Sequence, residues 1–356
     1  MIPLDAKGLL RYQRLQAEAV EAVAARFEET LGRADERLAA YAREALRDDL
    51  VFHLEFLRAA LEFGLLQPMV DYLRWLGSVL VARHVPVDHL AQTLDWIAEF
   101  FERAMAPAEG PAVVSTIRAA RAEYLASRDA PPHAPTPPKA WPQAAVFEAA
   151  LLDGRSREAL AVVNRCLDEG HGLVDVELHV VVPALYDIGE RWRANRVSVA
   201  QEHMATAIAQ SVMTAALLRS APHAPVDRRV LLACVEGNLH ALGLRMVADA
   251  FVLGGWEVRQ LGADVPAKTL VEQAAQWKPD LVGLSVSFPH HLHGVRVVIA
   301  TLTERLGVDR PAVIVGGLAV NRLERLADVL GADASSPDAR AAVERADRIV
   351  GPRQGS

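Results

Sequence analysis

The last third of the chain alternates between short apolar runs and longer amphipathic stretches, and this pattern leaves few folds open. The first apolar run is Arg229–Val235, and the alternation repeats through further runs near 257–261, 279–287 and 312–317. Continuously apolar strands that alternate with helices of ten or more residues are typical of a parallel sheet covered by helices on both faces. The sequence therefore predicts a doubly wound, flavodoxin-like α/β domain, in which ligands bind beyond the carboxyl ends of the strands.

The rest of the chain divides into helical segments and linkers. Residues 128–142 contain six prolines, which favour extended backbone and cannot continue a helix, so they predict a linker. Residues 1–127 have apolar residues at three- and four-residue steps and predict an all-helical domain of four or five helices. The same spacing with short turns predicts a four-helix bundle over residues 143–220, and the α/β domain then occupies residues 227–350.

Charge and composition exclude several classes of function. The chain has 38 Lys and Arg against 45 Asp and Glu, a net charge of −7, whereas non-specific nucleic-acid binding favours a basic face. With no helix-turn-helix pattern before the bundle, direct DNA binding is not expected. The sequence shows neither a signal peptide nor an apolar run of about 18 residues, so we expect a cytoplasmic protein without membrane contact. Cys166 and Cys234 lie in apolar segments and are expected to be buried free thiols.

The loop after the first predicted strand carries the most informative histidine. Asn238, His240 and Gly243 lie between this strand and the next helix, where an imidazole can point out of the sheet edge and ligate a metal or a metal cofactor. The sequence has no G-x-G-x-x-G after this strand, so a dinucleotide site of the usual kind is not expected.

Three further groups are predicted at the same edge of the sheet. The loop 262–264 follows the second strand, Ser285 and Ser287 end the third, and Gly316 and Gly317 end the fourth. Hydroxyl groups supply hydrogen-bond partners, and glycines let a bulky ligand approach the backbone closely. We expect all of these residues to contribute to one ligand site.

This set of motifs resembles the cobalamin-binding domain of methionine synthase and its relatives over residues 143–350. The resemblance implies that His240 is the lower axial ligand of cobalt. It implies that the nucleotide tail of cobalamin lies beside the serine and glycine loops, and that the helical bundle covers the upper face of the corrin. The family usually has a carboxylate at the position of Asn238, which would orient the histidine from its other ring nitrogen. Asn238 or Glu236 would have to replace it here, and we expect weaker ligation.

The bundle has a second signature, in which Trp192 is followed after nine residues by Glu202 and His203. This spacing resembles the CarH-type adenosylcobalamin light receptors. It implies that Trp192 packs on the adenosyl group and that Glu202 and His203 form hydrogen bonds around it. Adenosylcobalamin is therefore the expected cofactor, with methylcobalamin as the alternative. Such receptors commonly have a histidine where this chain has Arg193, so a second histidine ligand from that position is not available.

The sequence thus predicts a cobalamin-binding sensor rather than an enzyme, with light as the signal and a regulatory protein as partner of residues 1–127. A homo-oligomer is compatible with this prediction. The alternatives are a corrinoid carrier protein of a methyltransferase system and a cobalamin sensor without photochemistry. The cluster of His290, His291 and His293 is expected at the surface or at the cofactor rim, and His53 and His84 as core or surface histidines rather than haem ligands.

Overall fold

The computed structural model describes residues 3–130, 137–321 and 326–351. The chain divides into two compact units, the first made of Met1–Ala134 with Arg193–Arg196 and the second of Pro135–Trp192 with Val197–Ser356. Part of the predicted proline linker, residues 131–136, lies outside the described residues. Within the described ranges, none of the helices combines the length and apolarity that crossing a bilayer requires.

The first unit is all-helical, as the sequence predicts, but its described part contains six α-helices rather than four or five. They are α1 (Ala6–Phe27), α2 (Glu36–Glu44), α3 (Leu46–Phe63), α4 (Gln67–Ala82), α5 (His89–Ala104) and α6 (Gly110–Ser127). The number differs because α2 and α3 are separated only by Ala45, at φ −138°, and neither a glycine nor a proline marks that break.

The histidines of this unit occupy core and surface positions. His53 is buried, and its Nδ1 lies 3.1 Å from the Tyr72 hydroxyl. Burial lowers the pKa of His53 to about 4, so the ring is neutral at physiological pH. His84 is exposed in a turn at φ 59°, in the left-handed region that histidine adopts more often than most other non-glycine residues.

The second unit begins with a four-helix bundle. Its helices are α7 (Gln143–Leu152), α8 (Ser156–Asp168), α9 (Leu173–Val176), which continues through the π-helical turn Glu177–Val181 into α10 (Val182–Arg193), and α11 (Val199–Arg219). A capping box starts α11: the Ser198 hydroxyl accepts from the Gln201 N–H, and the Gln201 side chain accepts from the Ser198 N–H. This cap fixes the first turn of α11.

A five-stranded parallel sheet follows, in the order β2-β1-β3-β4-β5. The strands are β1 (Arg229–Val235), β2 (Glu257–Val265), β3 (Leu281–Ser285), β4 (Ala312–Gly316) and β5 (Ala334–Ser336). The helices between and after them are α12 (Leu242–Leu253), α13 (Ala267–Trp277), α14 (Leu292–Leu306), α15 (Leu318–Asn321), α16 (Leu326–Leu330) and α17 (Ala339–Ile349). The connections leave in opposite directions from β1 and β3, so a ligand crevice is expected at the carboxyl ends of these two strands.

The second strand departs from the prediction. The sequence predicts a strand that ends near residue 261 and a loop over 262–264, but β2 continues to Val265. Its pairing with β1 shifts register on either side of Ala233, which is the signature of a bulge. Gly262 and Asp264 both have positive φ, at 88° and 53°, so this irregular stretch remains paired with β1 while its alternation of faces is lost.

The bundle and the sheet share one apolar core within the second unit. Met246 and Ala250 of α12, together with Ala339 of α17, belong to the same cluster of buried residues as the bundle interior. The helix that follows the His240 loop is therefore packed directly against the bundle, and this packing sets the position of that loop relative to α11.

Candidate functional site

His240 lies in the loop between β1 and α12, at the carboxyl edge of the sheet, as predicted. Its ring is in contact with Phe288, with centroids 5.1 Å apart and planes at 87°. Within the described part of the chain, neither ring nitrogen of His240 has a hydrogen-bond partner. His240 is exposed to solvent, but desolvation by the atoms around its ring lowers the pKa of the imidazole, and the Glu202 carboxylate acts in the opposite direction. A neutral imidazole is the form that can donate a lone pair to a metal.

The Asn238 side chain forms hydrogen bonds to the backbone of the loop, and not to the imidazole of His240. This side chain is completely buried; the amide NH₂ donates to the Ser285 carbonyl at 2.9 Å, and Oδ1 accepts from the backbone N–H of His240 at 3.2 Å. The expected hydrogen bond to the second ring nitrogen of His240 is therefore absent from this part of the structure. Glu236 is exposed, and the carboxylate whose charge acts on His240 is Glu202.

Two further residues fix the same loop. The Asp264 carboxylate accepts from the Gly237 N–H at 2.7 Å, and the Asp264 N–H donates to the Asn238 carbonyl at 3.1 Å. The Cys234 thiol lies 3.7 Å from the His240 carbonyl oxygen and within hydrogen-bond reach of the Ser285 side chain. Burial raises the pKa of this thiol to about 11, so it remains protonated and can donate.

An Asn238→Asp substitution tests this loop directly. A carboxylate cannot donate to the Ser285 carbonyl, so we expect a loss of about 1–3 kcal/mol in the free energy of unfolding at neutral pH. The buried carboxyl would have a raised pKa in the folded state. Its protonated form can donate again, so the stability should recover as the pH falls towards the unfolded-state value. Urea unfolding at pH 5 and pH 8 measures this, and an equal loss at both pH values would contradict the assigned hydrogen bond.

The segment after β3 lies beside the His240 loop, where Phe288 contacts the His240 ring. Ser285 and Ser287 are half-buried, and Phe288 stacks on His290 with centroids 5.5 Å apart and planes at 10°. His291 is buried and contacts His290 edge-to-face at 4.0 Å. The expectation of a surface position is therefore wrong for His291, because Pro289–His291 forms a 3₁₀ turn that folds it under the loop, against Gly237.

The glycine pair after β4 has a clear steric cause. Gly317 has φ 102°, and a Cβ there would lie 2.5 Å from the Val286 carbonyl oxygen. At Gly316 a Cβ would approach the Ser336 carbonyl oxygen at 3.2 Å. Close packing of backbone against backbone therefore requires glycine at position 317, whether or not a ligand approaches, and ligand contact at both positions stays a prediction. By contrast, a Cβ on Gly243 would meet nothing within 4 Å.

The bundle residues lie together at the junction of α10 and α11. Trp192 is partly buried against the bundle core, one residue before α10 ends. Glu202 lies in the first turn of α11, where its carboxylate accepts from Thr206 Oγ1 at 3.0 Å and lies 2.6 Å from His203 Nδ1. The His203 side chain is 73% exposed. Because the charge of Glu202 acts on His240, this turn of α11 lies within electrostatic reach of the loop after β1.

Sequence reasoning did not identify Cys234 or Phe288 as parts of the site, and it named Asp264 only as a member of a loop. Phe288 follows Ser287 directly, so an aromatic residue just beyond a strand end was an available signal. The thiol gave no such signal, because a cysteine in an apolar strand looks the same whether or not it supports a loop.

Comparison with known proteins assigns the family. Residues 228–346 match a family model described as a B12 binding domain, and residues 144–217 match a second model with the same description. The chain is 34% identical over 116 residues to dimethylamine corrinoid protein 3 of Methanosarcina mazei, covering 33% of this chain and 68% of that protein.

Two other similarities do not by themselves assign the family. The HTH-type transcriptional repressor CarA of Myxococcus xanthus is 36% identical over 126 residues, which are 35% of this chain and 42% of the repressor. A solved structure of the monomethylamine corrinoid protein of Methanosarcina barkeri aligns at 22% identity with a TM-score of 0.48, covering 57% of this chain and 96% of that one. The chain spans about half the length of several other curated relatives. It belongs to the family of B12-binding proteins and binds cobalamin.

Proposed function

We propose that this protein is a sensor that holds adenosylcobalamin between the His240 loop and the first turn of α11, and that light is its signal. The observation that carries the proposal is the packing of α12 on the bundle core, because α12 begins two residues after His240 and so brings the lower-ligand loop next to the bundle. The charge of Glu202, which acts on His240, is consistent with this arrangement. The residues fit such a group: the imidazole is exposed and without a hydrogen-bond partner among the described residues, and open space lies beside Gly243.

Each residue then has a role of its own. The neutral His240 ring would hold cobalt through its lone pair, with the backbone of His240 held by Asn238 and its ring in edge-to-face contact with Phe288. Trp192 offers a partly buried aromatic face above, and Glu202 and His203 offer hydrogen-bonding groups beside it. When bound, adenosylcobalamin supplies a cobalt–carbon bond that visible light can break. The bundle packs on α12 through apolar contacts, so a change in what fills the upper space shifts the balance between two packings.

The output of the sensor is proposed to pass through residues 1–127 to a regulatory protein or to a second copy of this chain. The relative from Myxococcus xanthus is by name a transcriptional repressor of the HTH type. In this chain a six-helix domain precedes the bundle, so the proposed output is a protein interface rather than direct DNA contact.

A corrinoid carrier for a methyltransferase is the second candidate. It is favoured by the relatives named dimethylamine corrinoid proteins, one of which this chain covers over 68% of its length. In that case the bundle would open so that a partner enzyme reaches cobalt, methylcobalamin would be the working form, and this chain would contribute no catalytic residue.

The decisive test uses the full-length chain loaded with adenosylcobalamin in the dark and then exposed to green light. The proposal expects a change in the visible spectrum together with a change in elution volume or in affinity for a partner. A spectral change without either would remove the sensor output. Tight binding of methylcobalamin with poor binding of adenosylcobalamin would favour the carrier.

Trp192→Ala provides the matched variant for that test. We expect total corrinoid binding within a few-fold of wild type, because His240 remains, while the preference for adenosylcobalamin over methylcobalamin falls by about tenfold, as removing a large aromatic contact costs about 1–2 kcal/mol. Competition binding in the dark measures the ratio. An unchanged preference would place Trp192 outside the upper site.

A further inference from the structure

A pair of carboxyl groups is buried in the joint between the bundle and the sheet. Glu177 begins the π-helical turn after α9, and Asp249 lies on α12; each is 1% exposed. The apolar core around the joint includes Val176 and Val180 from the bundle and Met246 from α12. Two buried acids from different elements require a compensating group, because isolated buried charge is strongly unfavourable.

Among the described residues, Asp249 forms an ion pair with an arginine and Glu177 forms none. Arg245 Nε donates to Asp249 Oδ1 at 2.7 Å, and the same guanidinium lies 3.4 Å from Thr214 Oγ1 on α11. Both oxygens of Glu177 and Oδ2 of Asp249 are buried without a hydrogen-bond partner within the described ranges. The two carboxyl groups lie close enough for the charge of Asp249 to act on Glu177. A single proton between them would make one carboxyl a donor and would satisfy one oxygen on each side.

We infer that Glu177 is protonated at neutral pH, that it donates this proton in a hydrogen bond to Asp249, and that the bond fastens the bundle to the helix behind the His240 loop. Glu177 and Asp249 are positioning residues: α12 begins at Leu242, two residues after His240, so the joint determines where the loop lies. The inference goes beyond the proposed function, because it concerns the protein alone and depends on neither light nor the form of the cofactor.

The proton belongs to Glu177 because of what surrounds each group. Burial raises the pKa of Glu177 well above its usual value, and the negative charge of Asp249 raises it further, while Arg245 lowers it. Burial also raises the pKa of Asp249, but its direct ion pair with Arg245 favours the charged form. With Glu177 protonated, the joint contains one positive charge, on Arg245, and one negative charge, on Asp249, so its net charge is zero.

Other titratable groups on the surrounding elements have partners of their own or are buried and uncharged. Glu148 on α7 pairs with Arg191 at 2.8 Å, and Asp175 on α9 pairs with Arg340 of α17. His179, on the same π-helical turn as Glu177, stacks on Trp141, and Cys166 of α8 is a buried thiol. The charges that act on Glu177 are those of Asp249 and Arg245.

A protonated Glu177 makes the folded protein less stable as the pH rises. A carboxyl whose folded-state pKa lies above its unfolded value contributes stability that is complete below the unfolded pKa and is lost as the pH rises towards the folded pKa. Between about pH 5 and the folded pKa of Glu177, the wild-type folding equilibrium constant should therefore fall by up to about tenfold per pH unit from this group alone.

Glu177→Gln tests the inference on the full-length protein without cofactor. A glutamine amide can donate to Asp249 without a titrating proton, so the variant should fold, and its stability should lack this part of the pH dependence. Glu158→Gln, on the exposed face of α8, removes one carboxylate from the same bundle and should keep the wild-type slope. Urea unfolding at several pH values compares the three proteins, and Glu177→Ala should be less stable than the glutamine variant.

Infrared spectroscopy gives an independent readout. Wild type at pH 7 should show the C=O stretch of a buried carboxylic acid that is absent from Glu177→Gln. If this band is missing, or if Glu177→Gln and wild type have the same pH slope, the shared proton does not exist. Because these measurements need no cobalamin, their failure would leave the proposed sensor function untouched, and a failed light test would leave the joint untouched.

Discussion

Replacing His240 with alanine is expected to abolish the spectrum of histidine-ligated cobalamin and to weaken cofactor binding by at least about tenfold. Loss of an outer hydrogen-bond partner of a metal ligand already costs about 10–100-fold in affinity, and here the ligand itself is removed. The loop should survive the change, because Asn238 bonds to the backbone N–H of residue 240 and the Cys234 thiol to its carbonyl. Removing the imidazole also leaves no protein group without a hydrogen-bond partner, because none of the described residues bonds to the His240 ring.

The measurement is a titration with cobalamin followed by visible absorption, in the dark. His223→Ala is the control, since His223 is exposed in the connection between α11 and β1. Its spectrum should match that of wild type. An unchanged spectrum in the His240 variant would show that another group ligates cobalt, and the assignment of the lower ligand would be wrong.

The sequence predicts the sheet well because strands buried on both faces leave an unambiguous trace. β1 has the bounds read from its apolar run, and β3 and β4 lie within theirs. The predicted end of β2 is wrong because the residue types after 261 favour a turn, whereas pairing with β1 continues the strand to Val265. Gly262 and Asp264 resemble a loop, since both residue types favour turns, yet Gly262 is paired with Ala233 and Val265 with Val235, and the bulge accommodates Asp264 between these pairs.

The site shows the same limit at the level of single side chains. Position along the chain places His240 at the sheet edge, because a strand end and a helix start leave few alternatives. It does not fix the partners of Asn238, since these depend on how the loop after β3 lies against the loop after β1. The buried position of Glu177 is also invisible in the sequence, because a glutamate at a helical step is usually solvated. Both require three-dimensional contacts between segments that are distant in the chain.

The second large effect is expected from Gly317→Ala, with a loss of about 2–4 kcal/mol in the free energy of unfolding. The φ of 102° is a conformation that L-residues rarely adopt, and the new methyl would lie 2.5 Å from the Val286 oxygen and 3.0 Å from its nitrogen. These are backbone atoms, so a rotamer change cannot relieve the overlap. The Val286 N–H donates to the Gly316 carbonyl at 2.9 Å, so the loops after β3 and β4 would have to separate together.

Gly189→Ala is the matched control, because a Cβ there meets nothing within 4 Å and the residue lies inside α10. That variant should be as stable as wild type or more stable by about 0.5–1 kcal/mol, since alanine favours helix and restricts the unfolded chain. Urea unfolding of the two variants separates steric strain from a general effect of losing glycine. If Gly317→Ala unfolds at the wild-type urea concentration, then the close approach to Val286 is not required. The reason for glycine at this edge would then have to be sought in the cofactor, and the same variant should show weakened cobalamin binding in a folded protein.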